Sequence, residues 1–268
     1  MKLLLIAFLI IAILIFIIDY LTGNLLIPSF LFFPFGRNPH STFPVLPASE
    51  TWTTDSVSKI IHQTGPSDKS RWDPVWEKCQ NSWKEKFPDY EYMFWSDEDL
   101  DEFIRTKYSW FYPTFKGYNK NIKRIDSARY FILYEYGGIY ADMDYECLEN
   151  FENELAPGRV AIAQSKFIHH PILNEKYQNA LMASPPKHPF WNYVIRSMER
   201  NKNVSRVIFA TGPNVVKEAI DECEASMFLG LPSKEFTEGG RWAKHYGTSS
   251  WNENALYRQL CMWLYKFF

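Results

Sequence analysis

Three acidic residues alternate along one short stretch of the chain: Asp142, Asp144 and Glu146 lie within GGIYADMDYE, residues 137–146. Carboxylates this close repel one another unless a positive group lies between them. Asp142 and Asp144 would point to the same side of a continuing strand, and at a strand end both can reach one ligand. Paired carboxylates suit Mg²⁺ or Mn²⁺, whose other coordination positions are filled by water or substrate phosphate. The pattern therefore indicates a divalent-cation site.

Two other interpretations of the acidic series have to be weighed. An EF-hand calcium loop does not fit the spacing, because Cys147 stands where that loop needs glycine and Asn153 where it needs its bidentate acid. A polar turn without a ligand does fit, since an Asp-x-Asp pair is common in proteins. The spacing alone leaves both the cation site and the polar turn open.

A second charged pair lies shortly before the acidic series. Asp126 and Arg129 are one helical turn apart in NKNIKRIDSARYFILYEY, residues 119–136, so they face the same way. Arg129 shares its helix stripe with isoleucine, alanine and leucine, and a buried arginine needs a partner. Either Asp126 neutralises it within the fold, or it binds a phosphate or sugar hydroxyl of a ligand. Both explanations stay open.

Strand and helix signals alternate from residue 55 onward. Short apolar or β-branched runs predict strands over 57–63, 90–95, 138–141 and 159–164. Helices are predicted after Asp73-Pro74, from Ser96 to Lys107, over 119–136 with Gly137 as the cap, and over 189–201 and 213–222. This alternation predicts an α/β domain with a mostly parallel sheet. Ligands of such sheets bind beyond the carboxyl ends of strands, and the acidic series follows strand 138–141 directly.

The beginning of the chain has a different character. Residues 3–18, LLLIAFLIIAILIFII, contain no charge and no glycine. With the apolar residues after Asp19, the run approaches the length of about 20 residues that a membrane-spanning helix needs. Lys2 before the run and Asp19 after it favour a cytoplasmic amino terminus. The sequence therefore predicts a single-pass anchor at residues 1–27, a stem at 28–54 and a lumenal domain at 55–268.

Composition narrows the class of partner. The formal net charge is −2, so nothing indicates binding to nucleic acid. The four cysteines, Cys79, Cys147, Cys223 and Cys261, show no C-x-x-C spacing typical of a metal site. In a lumenal compartment they could form disulfides, and the sequence leaves disulfides and free thiols equally open. A glycosylation sequon begins at Asn203, as expected for a lumenal domain.

Five stretches together resemble one known family. IDSARYFILYEYGGIYADMDYECLENF resembles the core signature of glycosyltransferase family 32, the sugar-binding region that contains the D-x-D motif. Four further blocks match the family in the same order: SKIIHQT at 58–64, NALMASPPKHPFW at 179–191, ATGP at 210–213 and HYGTSSW at 245–251. The resemblance spans about residues 57–251. It implies a GT-A fold and a retaining transferase that uses a nucleotide sugar and a divalent metal, Mn²⁺ or Mg²⁺.

The resemblance also assigns roles to single residues. It implies that Asp126 and Arg129 hold the donor sugar and that Asn179 lies near it. Asp142 would contact the ribose and the sugar, and Asp144 would bind the metal. The last block would close over the diphosphate, and one of its side chains would complete the metal shell: His245, Ser250 or Trp251. The expected catalytic residues are therefore Asp142, Asp144 and Trp251, with Asp142, Asp144 and His245 as metal ligands.

The leading hypothesis is a membrane-anchored hexosyltransferase of the Golgi or the endoplasmic reticulum. Its partners would be a nucleotide-sugar donor, the membrane, and a glycan or glycolipid acceptor. Mannose from GDP-mannose and inositol phosphorylceramide are the preferred donor and acceptor. Two alternatives are a non-catalytic lumenal glycan-binding module of the same fold and a metal-dependent phosphohydrolase. The phosphohydrolase is disfavoured, because it would need a second metal and more clustered His or Asp ligands.

Overall fold

The computed structural model describes residues 42–166 and 176–248. Within these ranges the strands are β1 Ile60–Thr64, β2 Glu91–Trp95, β3 Gly138–Ala141, β4 Tyr145–Cys147, β5 Val160–Gln164, β6 Tyr177–Ser184, β7 Phe228–Leu231 and β8 Ala243–His245. The α-helices are α1 Trp76–Lys86, α2 Asp97–Lys107, α3 Tyr112–Gly117, α4 Asn121–Tyr136, α5 Phe190–Asn201, α6 Val207–Ala210, α7 Pro213–Glu222 and α8 Ser233–Phe236. Short 3₁₀ turns cover Lys69–Arg71, Glu152–Glu154 and Ala225–Met227.

Six strands form the central sheet, in the order β2-β1-β3-β6-β5-β7. Strand β6 runs antiparallel to both of its neighbours, β3 and β5, whereas the other pairs are parallel. Five of the six strands therefore share one direction, and the predicted α/β fold with a mostly parallel sheet is confirmed. Strands β4 and β8 pair separately as a short antiparallel ribbon.

Strand β6 was not predicted. Its sequence, YQNALMAS, is buried from the second residue to the last, so both faces of the strand pack against other groups. A strand buried on both faces lacks the alternation of apolar and polar residues that identifies a half-exposed strand. Its antiparallel direction follows from pairing with β3, in the register Ala141 to Leu181.

The ends of the central helices follow from local sequence. Ser96 accepts a hydrogen bond from the backbone of Asp99, whose carboxylate in turn accepts from the backbone of Ser96, so the predicted capping box opens α2. Gly137 ends α4 with φ +66, and Gly138 follows with φ +88. A Cβ at Gly138 would lie 2.5 Å from the carbonyl oxygen of Ile60. The glycine pair is required because the chain reverses here from α4 into β3 directly beside β1.

Helix α1 begins later than the sequence predicts. Asp73-Pro74 was expected to supply the cap and first residue, but the helix starts at Trp76 with Val75 as the N-cap residue. The carboxylate of Asp73 accepts from the backbone N–H of Val75 at 3.1 Å. Asp73 therefore closes a turn just before the helix rather than capping the helix itself.

Apolar side chains cover both faces of the sheet. One cluster joins α2, α4, α5 and α7 to the sheet, and the second joins α1, β4 and α8 to its other face. Trp191 is fully buried in the first cluster, and Trp83 is fully buried in the second. Truncating a core residue of this size costs about 3–5 kcal/mol, so each layer contributes strongly to the stability of the sheet that carries the acidic series.

The described part of the predicted stem packs on the domain. Leu46 is 7% exposed, and its backbone N–H and C=O both bond the side-chain amide of Asn192 on α5, at 2.8 and 2.9 Å. The carboxylate of Glu199 accepts from the backbone N–H groups of Thr42 and Phe43. The folded unit therefore includes residues well before position 55.

No helix within residues 42–166 and 176–248 is both long and apolar enough to cross a bilayer. The predicted anchor at residues 1–27 lies outside those ranges and stays a prediction.

The cysteines that the structure describes are free thiols: Cys79, Cys147 and Cys223. Cys261 lies outside the described residues.

The burial of His62 predicts that the domain loses stability at acidic pH. The indole N–H of Trp95 donates to Nδ1 of His62 at 3.2 Å, so Nε2 carries the proton and donates to the carbonyl of Gly137 at 3.0 Å. Burial lowers the pKa of His62 to about 4, whereas the unfolded chain titrates near 6.5. The stability from the neutral ring is present above about pH 6.5 and is lost as the pH falls towards 4.

The expected result is a loss of about 2 kcal/mol at pH 5 from this group alone, relative to pH 7.5. Urea unfolding of the parent and of His62→Gln at both pH values checks it. The variant should be less stable at pH 7.5, and its stability should fall less on acidification. Equal pH dependence of the two proteins would contradict the prediction.

Candidate metal and donor site

Asp142 and Asp144 occupy the turn beyond the carboxyl end of β3. The strand ends at Ala141, Asp142 leaves the sheet with its N–H bonded to the carbonyl of Ala180 at 2.8 Å, and β4 begins at Tyr145. The N–H of Tyr145 donates back to the carbonyl of Asp142 at 3.0 Å. This backbone turn holds both carboxylates at the edge of the sheet where α/β folds bind ligands.

Asp142, Asp144 and His245 form a group with the spacing of a metal site. One ligand atom from each lies within 4.8 Å of the others. His245 comes from β8, where it pairs with Tyr145 of β4, and its Nε2 is 3.2 Å from Oδ1 of Asp144. Two carboxylates with one imidazole suit Mn²⁺ better than Mg²⁺, whose preferred ligands are oxygens. The donor set fits a divalent cation.

Asp144 is built to carry a negative charge. Its Oδ2 accepts from the backbone N–H of Thr248 at 2.7 Å and from the hydroxyl of the same residue at 2.9 Å. Burial by itself would raise the pKa of Asp144, but the His245 side chain and these hydrogen bonds outweigh it and lower the pKa to about 2. The carboxylate is therefore ionised at physiological pH.

Arg129 contacts the carboxylates of both Asp126 and Asp142. It contacts Oδ1 of Asp126 at 2.9 Å and Oδ1 of Asp142 at 3.0 Å, and it donates to the carbonyl of Asn179 at 2.8 Å. The Arg129 side chain is 3% exposed and that of Asp142 is 30% exposed. Asp142 is therefore partly exposed to solvent, and the buried guanidinium of Arg129 contacts it from the protein interior.

Of the two explanations left open for Arg129, the structure shows the pairing within the fold, and binding of a ligand phosphate or sugar hydroxyl stays a prediction. Asp126 pairs with Arg129 inside the fold, and the same guanidinium also fixes a carboxylate of the metal group. Burial raises the pKa of Asp126 to about 6 although the Arg129 charge opposes it, and burial likewise raises the pKa of Asp142. Nε of Arg129 is buried without a hydrogen-bond partner in the described part of the chain.

Residues from two further sequence blocks, 179–191 and 210–213, lie beside Asp126. Asn179 on β6 donates to Asp126 at 3.1 Å, and Thr211 at the end of α6 donates to the same carboxylate at 3.3 Å. Asn179 was predicted near the sugar and does lie beside the Asp126–Arg129 pair. Ser250 and Trp251 lie outside the described residues, so their predicted roles over the diphosphate stay predictions.

Three polar residues of the site were missed from the sequence. Tyr140 donates to Asp142 at 2.9 Å and bonds the hydroxyl of Thr64 at 2.8 Å, and its ring lies 4.5 Å from the guanidinium carbon of Arg129. Thr248 holds Asp144. Thr64 and Thr248 fall inside the quoted blocks SKIIHQT and HYGTSSW, so their places in those blocks were the available signal. Tyr140 had only the apolar character of a strand residue.

Comparisons with known proteins match this part of the chain to one family model and to several fungal relatives. Residues 73–167 match the family model described as "Glycosyltransferase sugar-binding region containing DXD motif". The chain is 31% identical to "Inositol phosphoceramide mannosyltransferase 3" of Schizosaccharomyces pombe over 217 residues, which cover 74% of this chain and 57% of the relative. It is 37% identical to a mannosyl phosphorylinositol ceramide synthase of Saccharomyces cerevisiae over 147 residues, which cover 53% of this chain and 35% of the relative.

Among solved structures, the chain is similar to one titled "PaToxG Glycosyltransferase", with a TM-score of 0.49 and 19% identity over 63% of this chain and 70% of that one. The chain spans between about a third and three fifths of the length of the two fungal relatives named above. The resemblance inferred from the sequence is confirmed by the family model and by these relatives. The sequence resemblance and the family model therefore agree that residues 73–167 are similar to a glycosyltransferase sugar-binding region that contains the DXD motif.

Proposed function

We propose that the chain is a divalent-metal-dependent, retaining hexosyltransferase. Its preferred reaction moves mannose from GDP-mannose to inositol phosphorylceramide. The observation that carries the proposal is the group Asp142, Asp144 and His245 at the carboxyl end of β3, with Arg129 fixed against Asp142 at 3.0 Å. The mannosyl group and the acceptor are suggested by the names of the fungal relatives, an inositol phosphoceramide mannosyltransferase and a mannosyl phosphorylinositol ceramide synthase. The GDP carrier is part of the proposal.

The proposal assigns a task to each of these residues, and to Asp142 it assigns two. Asp144, Asp142 and His245 hold Mn²⁺ or Mg²⁺, which when bound offsets the negative charge of the departing nucleoside diphosphate. Asp142 also contacts the ribose and the sugar through its exposed edge. Asp126 and Arg129 would hold the donor sugar, and Arg129 keeps Asp142 in place through their 3.0 Å contact. Preorganised charges of this kind lower the barrier because they need no rearrangement during the reaction.

The outer residues complete the donor site. Asn179 orients Asp126 through a 3.1 Å hydrogen bond and lies next to the sugar. Ser250 and Trp251 lie outside the described residues, and in this proposal they would cover the diphosphate and exclude water, which would otherwise compete with the acceptor. A retaining outcome requires that the acceptor attack from the leaving-group face or that a protein nucleophile form an intermediate. The proposal leaves these two routes open.

An assay of the full-length chain in mild detergent tests the function. GDP-mannose, inositol phosphorylceramide and Mn²⁺ should yield a mannosylated lipid by mass spectrometry, and chelation with EDTA should abolish it. UDP-glucose and UDP-galactose in parallel tubes test the donor. Nucleotide-sugar hydrolysis without lipid product would instead support a hydrolase. Binding of glycan without any turnover would support a non-catalytic module.

The proposal places the domain in the lumen of the Golgi or the endoplasmic reticulum, behind an uncleaved anchor at residues 1–27. Asn203, the first residue of the sequon, is exposed, so the modifying enzyme can reach it in that compartment. We expect a mass shift on glycosidase treatment of the chain expressed in yeast, and none for Asn203→Gln. Protease access to the domain from the cytoplasmic side of sealed microsomes would refute this topology.

A further inference from the structure

Glu146, the third acid of the alternating series, does not belong to the metal group. Its Oε1 lies 2.7 Å from Nζ of Lys78, and its Oε2 accepts from the hydroxyl of Tyr246 at 2.7 Å. Nζ of Lys78 also donates to the hydroxyl of Tyr246 at 3.1 Å. The three side chains form a closed triangle, here called the clasp: Lys78, Glu146 and Tyr246.

The clasp joins three separate elements. Lys78 lies on α1, Glu146 is the middle residue of β4, and Tyr246 directly follows β8. Strands β4 and β8 have three residues each, and a two-stranded ribbon this short is not stable by itself in water. Contacts with α1 therefore help to keep β8 in register with β4: the indole N–H of Trp83 donates to the carbonyl of Tyr145 at 2.7 Å, and the clasp adds a second tie from the same helix.

Residues tied down by the clasp are those that contact Asp144. His245 precedes Tyr246, and Thr248 follows it by two residues. The backbone N–H of Tyr246 itself donates to the carbonyl of Asp144 at 3.0 Å. The imidazole of His245 is also stacked on the ring of Tyr145, with centroids 4.7 Å apart and planes 10° apart. The ring stacking fixes the plane of the imidazole, and the clasp fixes the backbone that carries it.

We infer that the clasp is a positioning element for the metal group, holding residues 245–248 so that His245 and Thr248 stay on Asp144. The inference rests on the proposed function, because it assumes that a cation binds Asp142, Asp144 and His245. None of the three clasp residues belongs to the metal group. They act through the position of β8, as outer-shell partners of metal ligands do.

A matched control exists elsewhere in the fold. Glu135 on α4 has the same chemistry, accepting from the hydroxyl of Tyr108 at 2.6 Å and pairing with Nζ of Lys187 at 2.6 Å. The side chains of Glu135 and Glu146 are 17% and 12% exposed. Glu135 lies just before Gly137 and the start of β3, whereas the metal group lies beyond the other end of that strand. Loss of either carboxylate should therefore cost similar stability, but only one should affect the metal.

The test measures Mn²⁺ affinity of the full-length chain in detergent from the electron paramagnetic resonance signal of free Mn²⁺, with thermal unfolding of the metal-free protein alongside. Glu146→Gln removes the negative charge of the clasp. Tyr246→Phe removes a single hydroxyl and preserves the ring. Both should raise the Kd for Mn²⁺ about tenfold. Glu135→Gln should lower the unfolding temperature to a similar extent as Glu146→Gln and leave the Kd unchanged.

Each outcome decides the inference. A higher Kd in both clasp variants and a parental Kd in Glu135→Gln support it. Parental affinity in the clasp variants, or an equal loss in Glu135→Gln, overturns it while leaving the proposed metal-dependent function standing. A parent chain that binds no Mn²⁺ overturns both the inference and the metal-dependent function.

Discussion

Asp144→Asn is expected to reduce transfer by about a thousandfold or more while the domain remains folded. The carboxylate supplies charge for a cation, and a cation at a departing phosphate is worth several kcal/mol of barrier. An asparagine oxygen can still accept from Thr248, whose N–H lies 2.7 Å away in the parent. The free energy of unfolding should therefore change by only about 1–2 kcal/mol.

The measurement combines mannosyl transfer with Mn²⁺, Mn²⁺ affinity and thermal unfolding. Asp99→Asn is the matched control, because the Asp99 carboxylate also accepts hydrogen bonds from a backbone N–H and a hydroxyl, both of Ser96 at the start of α2. That variant should lose stability and keep its turnover. Retained turnover in Asp144→Asn would remove Asp144 from the metal site.

Arg129→Lys is expected to lower transfer by about a hundredfold, equivalent to about 2.7 kcal/mol. The guanidinium reaches Asp126, Asp142 and the carbonyl of Asn179 at once, all within 3.0 Å. A lysine presents a single nitrogen and cannot span this arrangement. Asp142 would then lose its fixed position, which should weaken both donor binding and the metal group.

Stability and function have to be separated for this variant. Disturbing a buried ion pair is itself costly, and removing one partner altogether costs about 3–5 kcal/mol. Donor kinetics are therefore measured on the folded fraction, with Arg105→Lys as the control. Arg105 pairs with Glu102 on the exposed surface of α2, so its replacement should change neither property. Unchanged donor kinetics in folded Arg129→Lys would assign Arg129 to the fold alone.

Local rules were enough for several parts of the molecule. The capping box at Ser96 and the end of α4 at Gly137 depend on contacts between residues close in the chain, so the sequence determines them directly. Asp142 and Asp144 were recognisable because the acids follow a strand after a glycine pair. The match of five ordered blocks to one family then predicted that Asp126, Arg129, Asn179 and His245 belong together, although their separations in sequence are large.

Long-range packing decided the rest. The direction of β6 depends on its pairing with β3 and β5, which no local pattern encodes in a strand buried on both faces. The alternation of Asp142, Asp144 and Glu146 suggested one acidic group, but the turn after β3 places the first two beside His245, and Glu146 faces Lys78 and Tyr246. The sequence by itself determined which residue types could hold a cation. Only the tertiary structure decided that Glu146 has a different role, because a charged group interacts most strongly with the opposite charges that lie nearest to it in space.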